Sequence, residues 1–348
     1  MYLLSLQHAF PPHPFSPIDC WNALNLSPAA QRLRPSSVRI IRRLLHSDHG
    51  VSQRHFARSD LAALFNYGAG DLARYFEDAA PALAATALRP ALAKAGLSPA
   101  DLDAVFVCTC TGYLCPGVSS HLAEQAGLRP DAFLADLVGL GCGAAIPTLR
   151  AAHGFLAANP TARVAVVAVE ICSAAFYLDD DRGVLVSACL FADGASASIW
   201  TATPPRDRPA LRLGEFDTVH RPALRETIRF VNADGRLRNQ LARSVPADAA
   251  DAVAWLWQRA DQTGVAALVT HGGGKDVIEA IEQRLPEWPL PWTRGVLDRA
   301  GNLSSPSVLI ALQDCLEQRP LEAGDAVWLA SFGAGFAAHS ARLEHTNG

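Results

Sequence analysis

Four nearly unbroken apolar runs set the frame of the chain: residues 102–110, 163–170, 265–270 and 326–330. Runs of this kind, rich in valine and alanine and lacking polar alternation, predict strands covered on both faces. Residues 1–6 predict a first strand, stopped before Pro11-Pro12, and a terminal strand is expected to about residue 343. Between these runs the pattern turns helical. Residues 18–47 alternate polar and apolar positions at helical spacing, 71–96 form an alanine-rich stretch closed by Gly96, and 118–127 predict a short helix. Further helices are expected from Lys275 and, after 295–302, through Leu316. Leu190-Phe191-Ala-Asp193-Gly194 reads as a turn joining two apolar segments, 203–209 as a surface loop, and Phe230 to Gly235 as a β-turn in the polar stretch 212–245. Strands alternating with helices make an α/β protein.

One segment stands apart. Residues 136–138 continue an apolar run, the chain turns at Gly139 and Gly141, and a helix pattern follows with Ile146 and Leu149. Cys142 is thereby placed at or just before a helix N-terminus, where backbone N–H groups and the helix dipole favour thiolate over thiol. The competing assignment is a small buried hydrophobe.

A repeat sharpens the choice. Thr111-Gly112 and His271-Gly272 end apolar runs 160 positions apart, and Gly141-Cys142 lies the same 160 positions before Gly301-Asn302. Helix patterns follow both glycines, and apolar strands follow both helices. Two such halves packed about a pseudo-twofold axis would bring Cys142 and Asn302 face to face, with His271 at a strand end nearby. Imidazole can take or pair with a thiol proton, and a carboxamide can orient the imidazole or donate to an oxyanion. Papain-like proteases use the same three residue types, but on a layout without this duplication.

The totals narrow the classes further. At 348 residues with 50% apolar positions the chain can bury a large core. A net charge of −4 from interspersed acids and bases argues against a nucleic-acid footprint. No apolar run is long enough for a membrane helix, no signal-peptide pattern opens the chain, and eight cysteines in mostly apolar surroundings fit a reducing cytoplasm. Cys108-Thr-Cys110 with Cys115 matches no usual zinc spacing, and His271-Gly-Gly-Gly lacks the spacing of a phosphate loop, so neither metal nor nucleotide cofactor is expected. Arg39, Arg42 and Arg43 form a basic cluster, either a solvated face or an anion clamp.

Gly141-Cys142-Gly-Ala-Ala, Leu190-Phe191-Ala-Asp193-Gly194, His271-Gly-Gly-Gly-Lys, Gly301-Asn302-Leu-Ser304-Ser305 and Ser331-Phe-Gly-Ala-Gly335 together resemble the thiolase superfamily. Within it the chain is most similar to the type III polyketide synthases, the chalcone and stilbene synthase family; Thr111-Gly-Tyr-Leu-Cys115-Pro-Gly117 and the 230–238 segment add to that. The resemblance implies a five-layer αβαβα fold of two thiolase-like halves, residues 1–200 with the cysteine and 201–348 with the histidine and asparagine. It further implies a homodimer condensing an acyl-CoA starter with malonyl-CoA. Cys142 would be the acyl-accepting nucleophile, with His271 and Asn302 stabilising the enolate formed on decarboxylation. The Cys142 N–H and the Gly333–Ala334 turn would form an oxyanion hole, and Phe191 would gate the substrate tunnel. Cys110, Cys115, Glu170 and Ser304 match positions lining the cavity or serving ring closure, and Cys115 would reach the partner's cavity. Arg39, Arg42 and Arg43 are the candidates for coenzyme A phosphates, and an acyl carrier protein is the other possible donor. Three departures stand out: Gly272 where the family usually has proline, Cys110 where a threonine hydroxyl is common, and no clean match for the coenzyme A cations. The alternative enzyme reading is a ketoacyl-ACP-synthase-III-like protein performing one condensation.

Overall fold

A computed structural model describes residues 1–206 and 208–346; Asp207, in the expected 203–209 loop, lies outside the described residues. The strands are β1 (Tyr2–Ala9), β2 (His13–Phe15), β3 (Arg54–Phe56), β4 (Ala104–Thr109), β5 (Phe133–Val138), β6 (Arg163–Glu170), β7 (Gly194–Thr201), β8 (Ala210–His220), β9 (Ile228–Ala233), β10 (Arg236–Leu241), β11 (Val265–Thr270), β12 (Ala326–Gly333) and β13 (Ala337–Thr346). Nine of them form one sheet in the order β11-β12-β13-β8-β1-β7-β6-β4-β5.

That order is two half-sheets meeting at a single residue pair, Tyr2 with Arg212. In the first half β1 runs antiparallel to β7, β7 antiparallel to β6, and β6 parallel to β4. In the second β8, β13, β12 and β11 repeat that sequence of directions. The four apolar runs are β4, β6, β11 and β12, the strands buried in each half. The duplication is therefore structural. It is incomplete at one place: β5 pairs with β4, whereas the helix Pro291–Ala300 stands where the second half would need its counterpart.

Helix Ala145–Ala158 follows Cys142 and touches β4 and β6 on one side and β12 and β13 on the other. Helix Ser307–Gln318, its equivalent, contacts β11 and β12 and also β1. These two fill the middle layer between half-sheets. Every residue from Ser307 to Cys315 is buried, as expected of a helix with no solvent face. Its polar members are paired: Gln313 Oε1 lies 2.8 Å from His8 Nδ1, and Asp314 accepts from Arg299 at 2.9 Å. Outside, the 27-residue helix Ala69–Ala95 covers β1, β7 and β6, while Val245–Arg259 covers β12 and β13, giving the thiolase αβαβα layering. Gly96 ends the long helix at φ 73, a left-handed cap that glycine adopts without strain.

The 18–47 segment folds as three helices, Pro17–Leu26, Pro28–Gln31 and Pro35–His46, each opened by a proline in its first turn. The polar 212–245 stretch contains more order than its composition suggests. β8 is a strand with only intermittent burial, and β9 and β10 form a hairpin turned by Asp234 (φ 51) and Gly235 (φ 74). Among the described residues no helix is long and apolar enough to cross a membrane.

Candidate active site

β5 ends at Val138, and the chain passes Gly139 (φ 82) and Gly141 (φ 61) into a 3₁₀ turn, Gly141–Gly143, ahead of helix Ala145–Ala158. Cys142 is 6% exposed on that turn. Glycine is required at 141 for a second reason. A Cβ there would lie 2.8 Å from Ala334 N, on the turn after β12 of the other half. The approach is mutual, because a Cβ on Gly333 would lie 2.6 Å from Gly143 N and 2.9 Å from Cys142 N. Ser331 Oγ closes the contact by donating to Gly143 O at 2.9 Å.

His271 leaves the end of β11, its N–H bonded to Ala330 O at 2.9 Å, with its ring 5.1 Å from that of Phe332. The ring is buried and Nδ1 has no hydrogen-bond partner. Gly272 itself has ordinary backbone geometry and a Cβ there would meet nothing closer than 3.4 Å; the residue that needs to be glycine is Gly273, at φ 64. The turn is closed by Gly274 N–H donating to Gly272 O, so glycine at 272 leaves it intact.

Asn302 follows Gly301 (φ 76), and its backbone brackets Phe191: Asn302 N–H donates to Leu190 O at 2.8 Å, and Ala192 N–H donates to Asn302 O at 2.9 Å. Its side chain is oriented from both ends. Nδ2 donates to Gly273 O at 2.7 Å and Oδ1 accepts from Ser304 N–H at 2.8 Å, which leaves one amide N–H free.

Ser304 ties the parts together. Its Oγ is 3.2 Å from Cys142 Sγ, 3.2 Å from Cys110 Sγ and 3.2 Å from Glu170 Oε1, and it adopts φ 60, a sparsely populated region for serine. Glu170, at the end of β6, is fully buried. Oε2 accepts from Thr109 Oγ1 (3.2 Å), Cys110 N–H (2.9 Å), Thr111 N–H (3.1 Å) and Thr111 Oγ1 (2.8 Å), and Oε1 also accepts from Ser305 Oγ at 2.6 Å. Burial pushes its carboxyl up, and these donors, Ser305 first, pull it back. Thr109, Thr111 and Ser305 were not singled out by sequence reasoning. Each neighbours a residue that was, Cys110 or Ser304, and hydroxyls flanking a buried acid are the available signal.

The sulfurs divide the charge. Hydrogen bonding from Cys110 holds the Cys142 thiol well below its ordinary value; burial opposes this, and His271 and Ser304 reinforce it. Cys110 moves the opposite way, because it donates to Cys142 and because it is buried near Glu170. Both directions favour the anion on Cys142, which also has the helix start and His271 beside it. Alkylation by iodoacetamide, mapped by mass spectrometry against pH, is expected to modify Cys142 with a midpoint well below that of an ordinary thiol. His271→Ala should raise that midpoint. Cys110 reacting at the lower pH would contradict this assignment.

The remaining predicted residues fall into three places. Phe191 borders a cavity also lined by Cys172, Phe176, Tyr177, Val184 and Phe230; its carbonyl accepts from the buried Arg54 guanidinium at 3.2 Å. Cys115 is not part of the cluster: it is exposed, on a loop whose neighbour Tyr113 is 76% exposed. Arg39, Arg42 and Arg43 are exposed on helix Pro35–His46, and Arg42 lies 5.9 Å over the Trp21 ring. None of the three forms an ion pair among the described residues. Their helix packs on Arg182–Leu190, the helix leading into Phe191.

Residues 1–232 match the family described as FAE1/type III polyketide synthase-like protein, and residues 258–345 match the C-terminal domain of 3-oxoacyl-[acyl-carrier-protein] synthase III. The chain is 29% identical over 359 residues to 1,3,6,8-tetrahydroxynaphthalene synthase of Streptomyces peucetius subsp. caesius, covering 95% of this chain and 89% of that one. It is 30% identical to 3,5-dihydroxyphenylacetyl-CoA synthase of Streptomyces toyocaensis (79% and 74% covered) and 32% identical to β-ketoacyl-[acyl-carrier-protein] synthase III of Roseiflexus castenholzii (77% and 84%). Its fold superposes on the tetrahydroxynaphthalene synthase of Streptomyces coelicolor A3(2) with a TM-score of 0.85 at 24% identity, both chains covered in full. With residues 1–232, two thirds of its length, matched by that family's model, the chain belongs to the FAE1/type III polyketide synthase-like family.

Proposed function

We propose that the protein loads an acyl starter on Cys142 and extends it with malonyl-CoA by decarboxylative Claisen condensation, over several rounds, before ring closure. The observation that carries this reading is the convergence, from opposite halves of the fold, of a thiol held below its ordinary value, an imidazole whose Nδ1 has no partner, and a carboxamide with one free N–H. Attack of Cys142 Sγ on the starter thioester expels the coenzyme A thiolate, leaving an acyl-enzyme. A malonyl thioester whose carbonyl oxygen lies between His271 and the free Asn302 N–H then loses carbon dioxide, and its enolate charge meets two donors. The enolate carbon attacks the acyl carbonyl. The tetrahedral oxyanion is held by the Cys142 N–H and the Gly333–Ala334 turn, and its collapse returns the thiolate to Cys142. The chain, longer by two carbons, remains a coenzyme A thioester and can reload.

Phe191 gates the cavity in this scheme, and Glu170, Ser304 and Cys110 serve ring closure. A thiol is a weaker donor than the usual threonine, so Ser304 carries the hydrogen bonding there. Arg39, Arg42 and Arg43 bind the coenzyme A phosphates, and a carrier protein is the alternative donor. The chain works as a cytoplasmic homodimer, with Cys115 reaching the partner's cavity. Residues 1–200 and 201–348 are its two thiolase-like halves, divided at the last residue of β7. Thioester substrates supply all the chemistry, without a bound cofactor. The relatives named for tetrahydroxynaphthalene, 3,5-dihydroxyphenylacetyl-CoA and phloroglucinol support repeated malonyl extension.

The synthase III match over residues 258–345 favours the second reading, a single condensation. Incubation with acyl-CoA starters and malonyl-CoA, followed by mass spectrometry, separates the two. Pyrones or aromatic rings are expected; a single β-ketoacyl product would replace the iterative reading.

A further inference from the structure

The cavity behind Phe191 is closed on its far side by the β9–β10 hairpin, which contributes Phe230 and Asn239. The space outside atoms there is about 350 Å³, part of it open to solvent, yet the void that the centre of a water molecule can reach is only about 20 Å³. That is room for roughly one water. If the cavity holds a growing poly-ketone chain, as the reading above requires, one of its walls has to move.

The walls are not equally fixed. Cys172 and Ala175 follow directly on the buried strand β6, and helix Arg182–Leu190 is pinned by Arg54, which donates to Ala188 O at 2.7 Å and to Phe191 O. The hairpin pairs only with itself, and among its strand residues only Asn239 is buried. Its base is closed by Ala242 N–H donating to Thr227 O at 2.7 Å. Beyond that base, polar contacts hold it against the cavity. Arg238 Nε donates to Asp179 Oδ2 at 2.7 Å while its Nη2 lies 3.7 Å from Asp181 Oδ2. Asn239 Nδ2 donates to Ser187 Oγ at 2.6 Å, and the Arg236 guanidinium lies 4.6 Å over the Tyr177 ring. Packing holds the hairpin's base, where Ile228 lies on the core and Leu241 lies against Gly183; the rest, held mainly by these polar contacts, opens at lower cost than the core behind it.

The acidic side of the clamp is anchored. Asp181 caps its own helix through the Gly183 and Val184 N–H groups, and Asp180 accepts from Arg34 N–H and Ser37 Oγ. The fixed partner is thus the 179–181 loop, and the free partner is the hairpin.

We propose that the β9–β10 hairpin is the movable wall of the acyl-chain cavity, and that Arg238, bridging Asp179 and Asp181, is the positioning residue that sets how far it opens and so which chain lengths are accepted. Arg238 neither lines the cavity nor touches the site around Cys142; it acts through Phe230 and Asn239. Lysine, a single point charge, cannot reproduce a bridge to two carboxylates in full.

The test compares wild type, Arg238→Ala, Arg238→Lys and Phe230→Ala with acetyl-CoA, hexanoyl-CoA and lauroyl-CoA as starters. Arg238→Ala is expected to raise the ratio of lauroyl to acetyl kcat/KM by about tenfold, with lysine intermediate. Phe230→Ala, which widens the cavity with the clamp intact, should move the ratio the same way. Hydrogen exchange supplies a readout independent of activity: amides of 228–241 should exchange about tenfold faster in Arg238→Ala, with 245–259 unchanged. An unaltered starter ratio, or exchange that rises equally across the domain, would overturn the proposal. A wild type that forms no malonyl-dependent product would sink the functional reading instead, and the exchange result would still decide whether Arg238 holds the hairpin.

Discussion

Cys142→Ala is expected to lower malonyl-dependent chain extension by about 10⁴-fold or more, because the variant has nothing to accept the starter. The same variant should still release carbon dioxide from malonyl-CoA. Decarboxylation needs stabilisation of the enolate oxygen, which the proposed mechanism assigns to His271 and the free N–H of Asn302, not to sulfur. Asn302→Ala should show the converse pattern, with starter loading retained and decarboxylation down by about 10²- to 10³-fold. Radiolabelled starter trapped on the protein measures loading, and released labelled carbon dioxide measures the second step. Two features of the structure make this split sharp. Cys142 and Asn302 lie on elements from different halves, connected through Ser304 rather than to each other. The Asn302 amide is also held by Gly273 O and Ser304 N–H, neither of which changes when Cys142 is truncated. Extension surviving unchanged in Cys142→Ala would end both condensing-enzyme readings, the iterative one and the single-step one.

What could be read from sequence was whatever a backbone pattern or a repeat enforces. β4, β6, β11 and β12 announced themselves because both of their faces are buried, so their residues are apolar without alternation. The Cys142 turn was legible from glycines that the structure shows at positive φ, and the register of the duplication paired Cys142 with Asn302 across the two halves. β8 was missed for the opposite reason: its burial is intermittent and it carries Glu215 at φ 53, so no period-two pattern survives. The helix Pro291–Ala300 was missed because Pro289, Pro291 and Gly295 interrupt its pattern, so 295–302 read only as the approach to the next helix. The donors to Glu170 show a third limit. Thr109 and Thr111 flank Cys110, yet which side chains of such a run turn toward a buried acid depends on the end of the strand, and spacing does not report it. The hairpin clamp lies beyond sequence for a similar reason, because Asp179 and Arg238 are 59 positions apart and meet only through tertiary packing.

Gly333→Ala should be the one-carbon change most damaging to the candidate site. The added methyl would lie 2.6 Å from Gly143 N, 2.8 Å from Leu140 O and 2.9 Å from Cys142 N, all of them backbone atoms that no rotamer change can move aside. Either the end of β12 withdraws or the Gly141–Gly143 turn does, and both carry the N–H groups that the proposed mechanism uses as oxyanion donors. Overpacking against backbone is expected to cost about 3 kcal/mol of stability, read as a lower denaturant midpoint with an unchanged slope. The activity loss should exceed what instability explains. The methyl covers the Cys142 N–H, so at a temperature where the variant remains folded, extension should still fall by about 10²-fold while iodoacetamide continues to alkylate Cys142. Gly272→Ala serves as the control. It adds the same methyl on the turn after His271, where the nearest atom is Thr293 Cγ2 at 3.4 Å, and it should leave stability within about 1 kcal/mol of wild type. If Gly333→Ala behaved like Gly272→Ala in both assays, the two halves would not meet at the nucleophile as closely as this site requires, and the oxyanion hole would have to be sought elsewhere.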